Sequence, residues 1–296
     1  DSETPYTGIH PNLCSTRQPL LSGFCIHNSM KLTHRLEIPP SLQFLKEYWE
    51  AHRRWLVKLG GFKDGSYVAD FNAVIQSKYL VSGGVGSNVR FESDFRDLQP
   101  NVQMVLVDPT VSVLRMIARG LYHFGRRQQS GYRSLSEVLN YLYLRKHFSL
   151  IPKYLGQHFL ISDLAQNMGA EITAKQIFLK LDIEGAEYAL LDDIVSIKEG
   201  LTGLCIEFHD LDLPSHREQL HRFLALLQFD LIHVSVNEVC LKPGGFPSIL
   251  ELSLAPPAQE QVHGGALTAD TDIHERYLQS ANALDGETYY LGWGSY

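Results

Sequence analysis

Three carboxylates stand close together in this sequence, as Asp182, Glu184 and Glu187 of the run Lys180–Glu187. The apolar residues 176–179 before them predict a buried parallel strand, and apolar residues at helical spacing follow them. The acids therefore lie where a strand ends and a helix begins, which is the edge where open α/β sheets bind ligands. Three acids at one turn are costly unless they meet a cation or hydrogen-bond donors. The alternative is an ordinary turn whose acids favour the helix dipole.

A glycine-rich turn, Gly83-Gly84-Val85-Gly86, follows the predicted short strand 78–82. Glycines let the backbone approach a ligand closely, and the helix that follows offers free N–H groups. The spacing fits neither the dinucleotide pattern Gly-x-Gly-x-x-Gly nor the Walker pattern. The turn therefore indicates a nucleotide-type ligand without naming one.

An acid, Asp108, ends the predicted strand 102–108. It follows the glycine turn by about two dozen residues, the usual place of an acid that accepts hydrogen bonds from ribose hydroxyls. A helix-capping turn through Asp108-Pro109-Thr110 is the alternative.

Further polar residues end the predicted strand 203–210, where Glu207, His209 and Asp210 follow an apolar run. Because the carboxyl ends of parallel strands share one edge of a sheet, we expect Asp182 and His209 to converge on one pocket. A strand-end histidine that hydrogen-bonds only Glu207 or a neighbouring loop is the alternative.

The elements that position these residues alternate between strand and helix, which predicts a mainly parallel sheet with helices on both faces. The return through Pro243-Gly244-Gly245 into the strand 248–254 suggests that the last strand is antiparallel. We divide the chain into residues 1–66, an arm and a helix that pack on the main domain, and residues 67–296, the main domain.

Two segments are predicted in more detail. Apolar residues at helical spacing predict a helix from Ser41 to Leu59, with Arg54 on its solvated face. Residues 119–160 are long for a connection, so they form either a lid or substrate wall or a mere insertion. Within them we predict the third strand at 120–124 and a helix at 134–148.

Composition excludes several functions. The net charge of −7, from 26 basic and 33 acidic residues, argues against a nucleic-acid-binding face. No apolar run reaches the ~18–20 residues of a membrane span. The four cysteines show no zinc-site spacing, and their use favours a cytoplasmic setting. The chain begins at Asp1, so a removed anchor and a secretory or Golgi location form the alternative.

Taken together, these stretches resemble the FkbM-type family of S-adenosylmethionine-dependent methyltransferases. Lys180-Leu181-Asp182-Ile183-Glu184-Gly185-Ala186-Glu187 is similar to the family's K-x-D-x-E-G-x-E signature. The glycine turn and Val107-Asp108-Pro109-Thr110 resemble its cofactor motifs, and Ile206-Glu207-Phe208-His209 resembles its E-x-H. The resemblance implies the class I methyltransferase fold, a Rossmann-like doubly wound sheet of seven strands with the last antiparallel, here with an N-terminal helical extension.

The resemblance also implies a binding site for S-adenosyl-L-methionine. Gly84 and Gly86 would lie under the methionine part, Asp108 would take the ribose, and Asp182 would lie beside the methyl group. The full set of cofactor residues that it implies is Ser82, Gly83, Gly84, Gly86, Asn88, Asp108, Pro109, Asp163, Asp182 and Glu184.

For the reaction, the resemblance implies transfer of the methyl group to a hydroxyl oxygen of a small molecule or glycan. His209, with Asp182 and Glu207, is the predicted catalytic group, acting as general base or substrate orienter. Predicted substrate contacts are Glu187, His233 and Asn237. Metal-free chemistry is our expectation, with Mg²⁺ held by Asp182, Glu207 and His209 as the alternative.

Two rival functions remain at this stage. One is an NAD-type oxidoreductase on a Rossmann fold, and the other is a non-catalytic binding protein that retains the fold. Binding of S-adenosylmethionine, of NAD, or of neither would separate the three.

Overall fold

The computed structural model describes residues 38–50, 54–61, 66–86, 88–111, 117–118, 121–122, 129–236, 241–242 and 246–258. For residues 129–136 it describes the backbone alone. All of these residues belong to the compact unit Leu32–Tyr296. The unit 1–31, most of the predicted arm, the turn at 243–245 and Asn237 lie outside the described residues.

Seven strands form the main sheet, in the spatial order β5-β4-β3-β6-β7-β9-β8. Neighbouring strands are parallel except at β9, which is antiparallel to both β7 and β8. The strands are β3 (Tyr79–Gly83), β4 (Gln103–Val107), β5 (Phe148–Ile151), β6 (Ile177–Leu181), β7 (Leu201–Phe208), β8 (Asp230–Val236) and β9 (Leu250–Ala255). This confirms the predicted Rossmann-like, doubly wound sheet of seven strands with its last strand antiparallel.

Helices cover the sheet and return the chain to its starting edge. They are α1 (Phe71–Gln76), α2 (Arg90–Leu98), α3 (Gln129–Leu144), α4 (Ile161–Asn167), α5 (Leu191–Ser196) and α6 (Pro214–Leu227). Short 3-10 helices span Pro40–Tyr48, Arg145–His147, Glu187–Leu190 and Lys198–Gly200. The buried apolar residues form two clusters. In the described part of the chain, no helix is long and apolar enough to cross a membrane.

The helix predicted for residues 41–59 is wrong beyond its first half. A 3-10 helix ends at Tyr48, and the chain then forms β1 (Leu56–Leu59), which pairs antiparallel with β2 (Tyr67–Asp70). The reason is that Val57 and Leu59 are buried while Leu56 and Lys58 are less so, which is the period of two of a strand. A four-residue strand is too short for its period to be told from a helical one in the sequence.

Arg54 is buried rather than solvated, and it ties the β1–β2 hairpin to the main sheet. Its guanidinium donates from Nη1 to Asp70 Oδ2 (2.7 Å) and from Nη2 to Asp230 Oδ2 (2.5 Å). Nη2 also donates to the carbonyl oxygen of Pro256, 2.6 Å away. One cation thus joins β2, the start of β8 and the segment after β9.

The segment 119–160 also differs from its prediction. In chain order the third strand of the main sheet is β5, whereas the described residues 121–122 within the predicted strand are helical. The helix predicted for 134–148 is α3, which starts earlier and ends at Leu144. The C-terminal part of this segment therefore supplies an edge strand of the sheet. Its role as a lid or substrate wall stays a prediction.

Candidate functional site

The glycine turn lies at the carboxyl end of β3, against the end of β6. The N–H of Gly84 donates to the carbonyl of Val107 (3.1 Å), and Lys180 Nζ donates to the carbonyl of Gly84 (2.8 Å). Gly84 has φ 71°, and a Cβ there would collide with the carbonyl oxygen of Asp182. Gly86 has φ 57°, and a Cβ there would meet nothing within 4 Å. The turn is therefore packed at Gly84 and open at Gly86.

Asp108 fastens the glycine turn to the end of β4. It is 4% exposed, and its Oδ2 accepts a hydrogen bond from the N–H of Gly86 at 2.7 Å. Its Oδ1 accepts from both the N–H and the hydroxyl of Thr110, each at 2.6 Å. The capping turn is therefore present, and a ribose would have to share a carboxylate that already accepts three bonds. The ribose role stays a prediction.

Buried charges lie behind the turn. Lys180 is 4% exposed, and its ammonium nitrogen lies 3.7 Å from Asp182 Oδ2 as well as against Gly84. Ser82 donates to Glu92 Oε1 at 2.6 Å, while Glu92 Oε2 is buried without a hydrogen-bond partner. Burial raises the pKa of Glu92, although Lys180 and Ser82 oppose it. Ser82 was predicted at the cofactor; its hydroxyl points to Glu92 on α2.

Glu187 corrects one sequence prediction. It was expected to contact substrate, but it is 0% exposed and both of its oxygens accept bonds from the chain. Oε2 accepts from the N–H of Gly185 at 2.9 Å. Oε1 accepts from the N–H of His209 at 2.7 Å and lies 3.2 Å from His209 Nδ1. The partner of His209 is thus Glu187, where the sequence had suggested Glu207.

His209 follows the end of β7 and is 8% exposed. Tyr188 donates its hydroxyl to the carbonyl of His209 at 2.5 Å, which fixes the backbone. The ring nitrogen Nε2 lies 3.6 Å from Oε2 of Glu184, whose side chain is 86% exposed. Burial alone would lower the pKa of His209, but the hydrogen bond to Glu187 and the charges of Glu187, Glu184 and Asp182 raise it above its ordinary value.

Asp182, Glu207 and His209 converge as the sequence predicted. One ligand-type atom from each lies within 4.8 Å of the others. Two carboxylates and an imidazole suit a divalent cation, so these are the residues that could hold one. The ammonium of Lys180 beside Asp182 already offsets part of their negative charge. The geometry thus allows both the metal-free site that we predicted and its Mg²⁺ alternative.

Asp182, Glu207 and His209 belong to a larger polar face, whose other residues the sequence did not predict. Glu207 is paired with Glu251 on β9, which is paired with Ser235 on β8, so the three side chains share one face of the sheet. Ser235 donates to Glu251 Oε2 at 2.5 Å. The hydroxyl of Tyr67 on β2 is buried without a hydrogen-bond partner. Burial, then the charges of Asp182, Glu251 and Glu207, raise the pKa of Tyr67 well above its usual range.

No sequence signal pointed to Tyr67, because β2 had not been predicted. A period-two pattern at 67–70 is short, and all four residues are buried. Glu251 lies in the predicted last strand, where its residue type gives no sign of a site. Its pairing with Glu207 depends on the position of β9 between β7 and β8, and this strand order cannot be read from spacing.

Several predicted residues lie apart from this face. Asn88 Oδ1 accepts from the N–H of Arg90 at 3.2 Å, and Asp163 Oδ2 accepts from the N–H of Leu160 at 3.3 Å. These are contacts at the starts of α2 and α4. His233 is 3% exposed in the middle of β8. Because it is buried, a substrate contact at His233 is not available in this conformation.

Comparison with known proteins finds similarity of fold only. No protein-family model matches the chain, and no curated protein matches its sequence. An uncharacterized protein from Listeria monocytogenes serotype 4b is 10% identical, with 66% of this chain and 68% of that chain covered and a TM-score of 0.34.

Two further solved structures are named as methyltransferases. The METTL16 MTase domain is 10% identical, with 60% of this chain and 59% of that chain covered and a TM-score of 0.33. N,N-8-amino-8-demethyl-D-riboflavin dimethyltransferase (RosA) from Streptomyces davawensis is 14% identical, with 62% and 50% covered and a TM-score of 0.31. The matched region spans less than two thirds of each of these two proteins, and the likeness concerns the fold alone.

Proposed function

We propose that this protein is an S-adenosylmethionine-dependent methyltransferase that acts on a hydroxyl group of a small molecule or glycan. One observation carries the proposal: the glycine turn opens at Gly86 beside the carboxyl ends of β6 and β7, where Asp182, Glu207 and His209 converge. A glycine turn with open space at Gly86, next to an acidic, histidine-containing cluster, suits a nucleoside cofactor and an acceptor side by side.

The cofactor would lie along the glycine turn. The open space at Gly86 admits a ligand where a side chain would otherwise stand. Asp182, with a side chain that is 21% exposed, lies 3.7 Å from the Lys180 ammonium that bonds the turn, and its carboxylate would face the sulfonium charge. Asp108 would accept from the ribose, with Pro109 and Asn88 as neighbouring contacts.

The reaction would be an in-line displacement. The acceptor oxygen forms a bond to the methyl carbon, the carbon–sulfur bond breaks, and S-adenosylhomocysteine leaves with the bond electrons. The hydroxyl proton must be removed as the new bond forms. His209 is the group at this cluster that can take it at neutral pH.

The signature Lys180–Glu187 supports a relationship to the FkbM-type branch in particular. Its residues have defined contacts: Lys180 bonds the glycine turn and Glu187 bonds His209. The acceptor class and a cytoplasmic setting rest on the resemblance and on composition, and they stay predictions.

Isothermal titration calorimetry of the native chain tests the proposal against its rivals. We expect S-adenosylmethionine and S-adenosylhomocysteine to bind, and NAD not to bind. Binding of NAD instead would support an oxidoreductase, and binding of neither would support a non-catalytic protein. A mass-shift screen of hydroxyl compounds and glycans with labelled cofactor would then identify the acceptor.

A further inference from the structure

The contacts of Glu187 are unusual for a residue in a surface turn. Its carboxylate is fully buried, yet the only ring nitrogen that it reaches among the described residues is Nδ1 of His209, at 3.2 Å. The same oxygen, Oε1, accepts from the backbone N–H of His209 at 2.7 Å. Two contacts with one residue fix both the main chain and the ring of His209.

We propose that Glu187 is the positioning residue of a histidine–carboxylate pair, and that it holds His209 with Nε2 unprotonated and turned toward the acceptor hydroxyl. The inference rests on the proposed function, and it names the atom at which the proton is removed. Glu187 itself does not touch the acceptor, because it is 0% exposed.

The donors around Glu187 decide the tautomer. Glu187 accepts two backbone N–H bonds, from Gly185 to Oε2 and from His209 to Oε1, so both oxygens are acceptors. A neutral imidazole carries one N–H, and the nitrogen that faces an acceptor carboxylate is the one that donates. Nδ1 of His209 therefore carries the hydrogen, and Nε2 is left with a free lone pair.

The surroundings of Nε2 show where the acceptor would approach. On that side Oε2 of Glu184 lies 3.6 Å away, and the Glu184 side chain is 86% exposed, so this nitrogen faces the open side of the site. Asp182 and Glu207 offer their own oxygens within 4.8 Å of the ring. An acceptor hydroxyl bound between them could donate its proton to Nε2.

The step balances without another reactant. The acceptor O–H proton passes to Nε2, the oxygen bonds to the methyl carbon, and the electrons of the carbon–sulfur bond stay with sulfur. His209 is then an imidazolium, which the carboxylates of Glu187 and Glu184 stabilise. Loss of the Nε2 proton to water on the exposed Glu184 side restores the neutral ring.

Glu187 also caps its own turn through Gly185, so loss of activity alone would not separate positioning from a structural role. The tautomer of His209 does separate them, because a capping residue has no reason to determine which ring nitrogen carries the hydrogen. Two-bond ¹H–¹⁵N correlation spectra of the full chain, labelled at histidine, report the tautomer directly. His209→Asn assigns the signal.

For the wild-type protein, at a pH where the ring is neutral, we expect Nδ1–H and a bare Nε2. Glu187→Leu should release the tautomer, because it removes the acceptor that faces Nδ1, while Glu184→Gln should keep the Nδ1–H form. With an acceptor in hand, Glu187→Gln should lower kcat by about 10²–10⁴-fold with KM for the cofactor unchanged.

Wild-type His209 found as Nε2–H would overturn the inference, and this result needs no variant to fold. An unchanged tautomer in Glu187→Leu would overturn it as well. Cofactor titration keeps the two proposals apart: failure of the native chain to bind S-adenosylmethionine refutes the proposed function, whereas binding with the wrong tautomer refutes only the role of Glu187.

Discussion

At the scale of single residues, the polar residues of the run Lys180–Glu187 contact different partners. Lys180 bonds the carbonyl of Gly84, and Asp182 stands at the end of β6 beside it. Glu184 has φ 53° and is exposed, and Gly185 has φ 94°. Glu187 turns inward to His209. The sequence predicted that these residues form a site, but it could not assign their partners. Which of three acids at one turn points inward depends on the backbone conformation of the turn, which the sequence pattern does not give.

A first prediction concerns Asp108. If its carboxylate takes a ribose, Asp108→Ala loses charge-assisted bonds worth roughly 1.5–3 kcal/mol each, and cofactor affinity should fall by about ten- to a hundred-fold for one such bond. Calorimetric titration measures this fall in cofactor affinity. Thr110→Val is the control, since it removes one capping bond to Asp108 and keeps the carboxylate. Equal affinity in Asp108→Ala and the wild type would leave Asp108 as a turn cap only.

A second prediction concerns metal. If the chemistry is metal-free, as we expect, treatment with a chelator followed by dialysis should leave turnover unchanged. If a cation is required, chelation should inhibit, and Asp182→Asn and Glu207→Gln should lose activity together with bound metal, measured by elemental analysis. If the chelator inhibits and added Mg²⁺ restores activity, the metal-free account is contradicted. His209 would then be a metal ligand and not the general base.

At the scale of elements, strands with a long apolar run were easier to predict than four-residue strands. β3, β4, β6 and β7 are strongly apolar runs bounded by turn residues, and they were found within a few residues of their true ends. The β1–β2 hairpin and β5 were missed. Their four-residue strands are too short for a period of two to stand out from a helical one.

The hairpin provides the third prediction. Arg54 and Asp70 side chains are each 6% exposed, so Arg54→Leu would leave buried acids unpaired and should cost about 3–5 kcal/mol of unfolding free energy. Arg222 is the matched control, because its pair with Asp192 at 3.9 Å is 73% and 89% exposed. Arg222→Leu should cost less than about 1 kcal/mol. Urea unfolding measures the free energy of unfolding of both variants. Equal losses in the two would refute a stabilising role for the buried Arg54 ion pairs.

At the scale of the whole molecule, the strand order is what joins residues far apart in sequence. Glu251 reaches Glu207 only because β9 inserts between β7 and β8. The resemblance implied seven strands with the last antiparallel but no strand order, and hydrophobic periodicity gives the strands without their arrangement. The contacts of Glu187, Glu92 and Tyr67 depend on packing at side-chain resolution, which no spacing pattern encodes.

The fourth prediction concerns stability against pH. Burial and the nearby charge of Lys58 lower the pKa of His233 to about 3. The unfolded chain binds a proton at His233 near its ordinary pKa, so folding stability is lost as pH falls from that value toward 3. The loss should be about 1.4 kcal/mol per pH unit. His233→Gln should remove this part of the slope in urea unfolding series at pH 4–7. An unchanged slope in the variant would contradict the assignment.

The central claim is that the glycine turn is the S-adenosylmethionine site, and one pair of variants tests it most directly. Gly86 and Gly169 both have positive φ and open space around the position of a Cβ. Gly169 is the control because it lies away from the glycine turn, after α4, where its carbonyl accepts a hydrogen bond from the hydroxyl of Tyr79. Valine at either position should carry a similar backbone cost, of order 1–2 kcal/mol.

In calorimetric titrations of folded protein, we expect S-adenosylmethionine to bind the wild type and Gly169→Val alike, and binding to Gly86→Val to be abolished. The physical reason is that the new side chain would fill the space left for the ligand. Wild-type affinity in Gly86→Val would contradict the account and remove the glycine turn from the site.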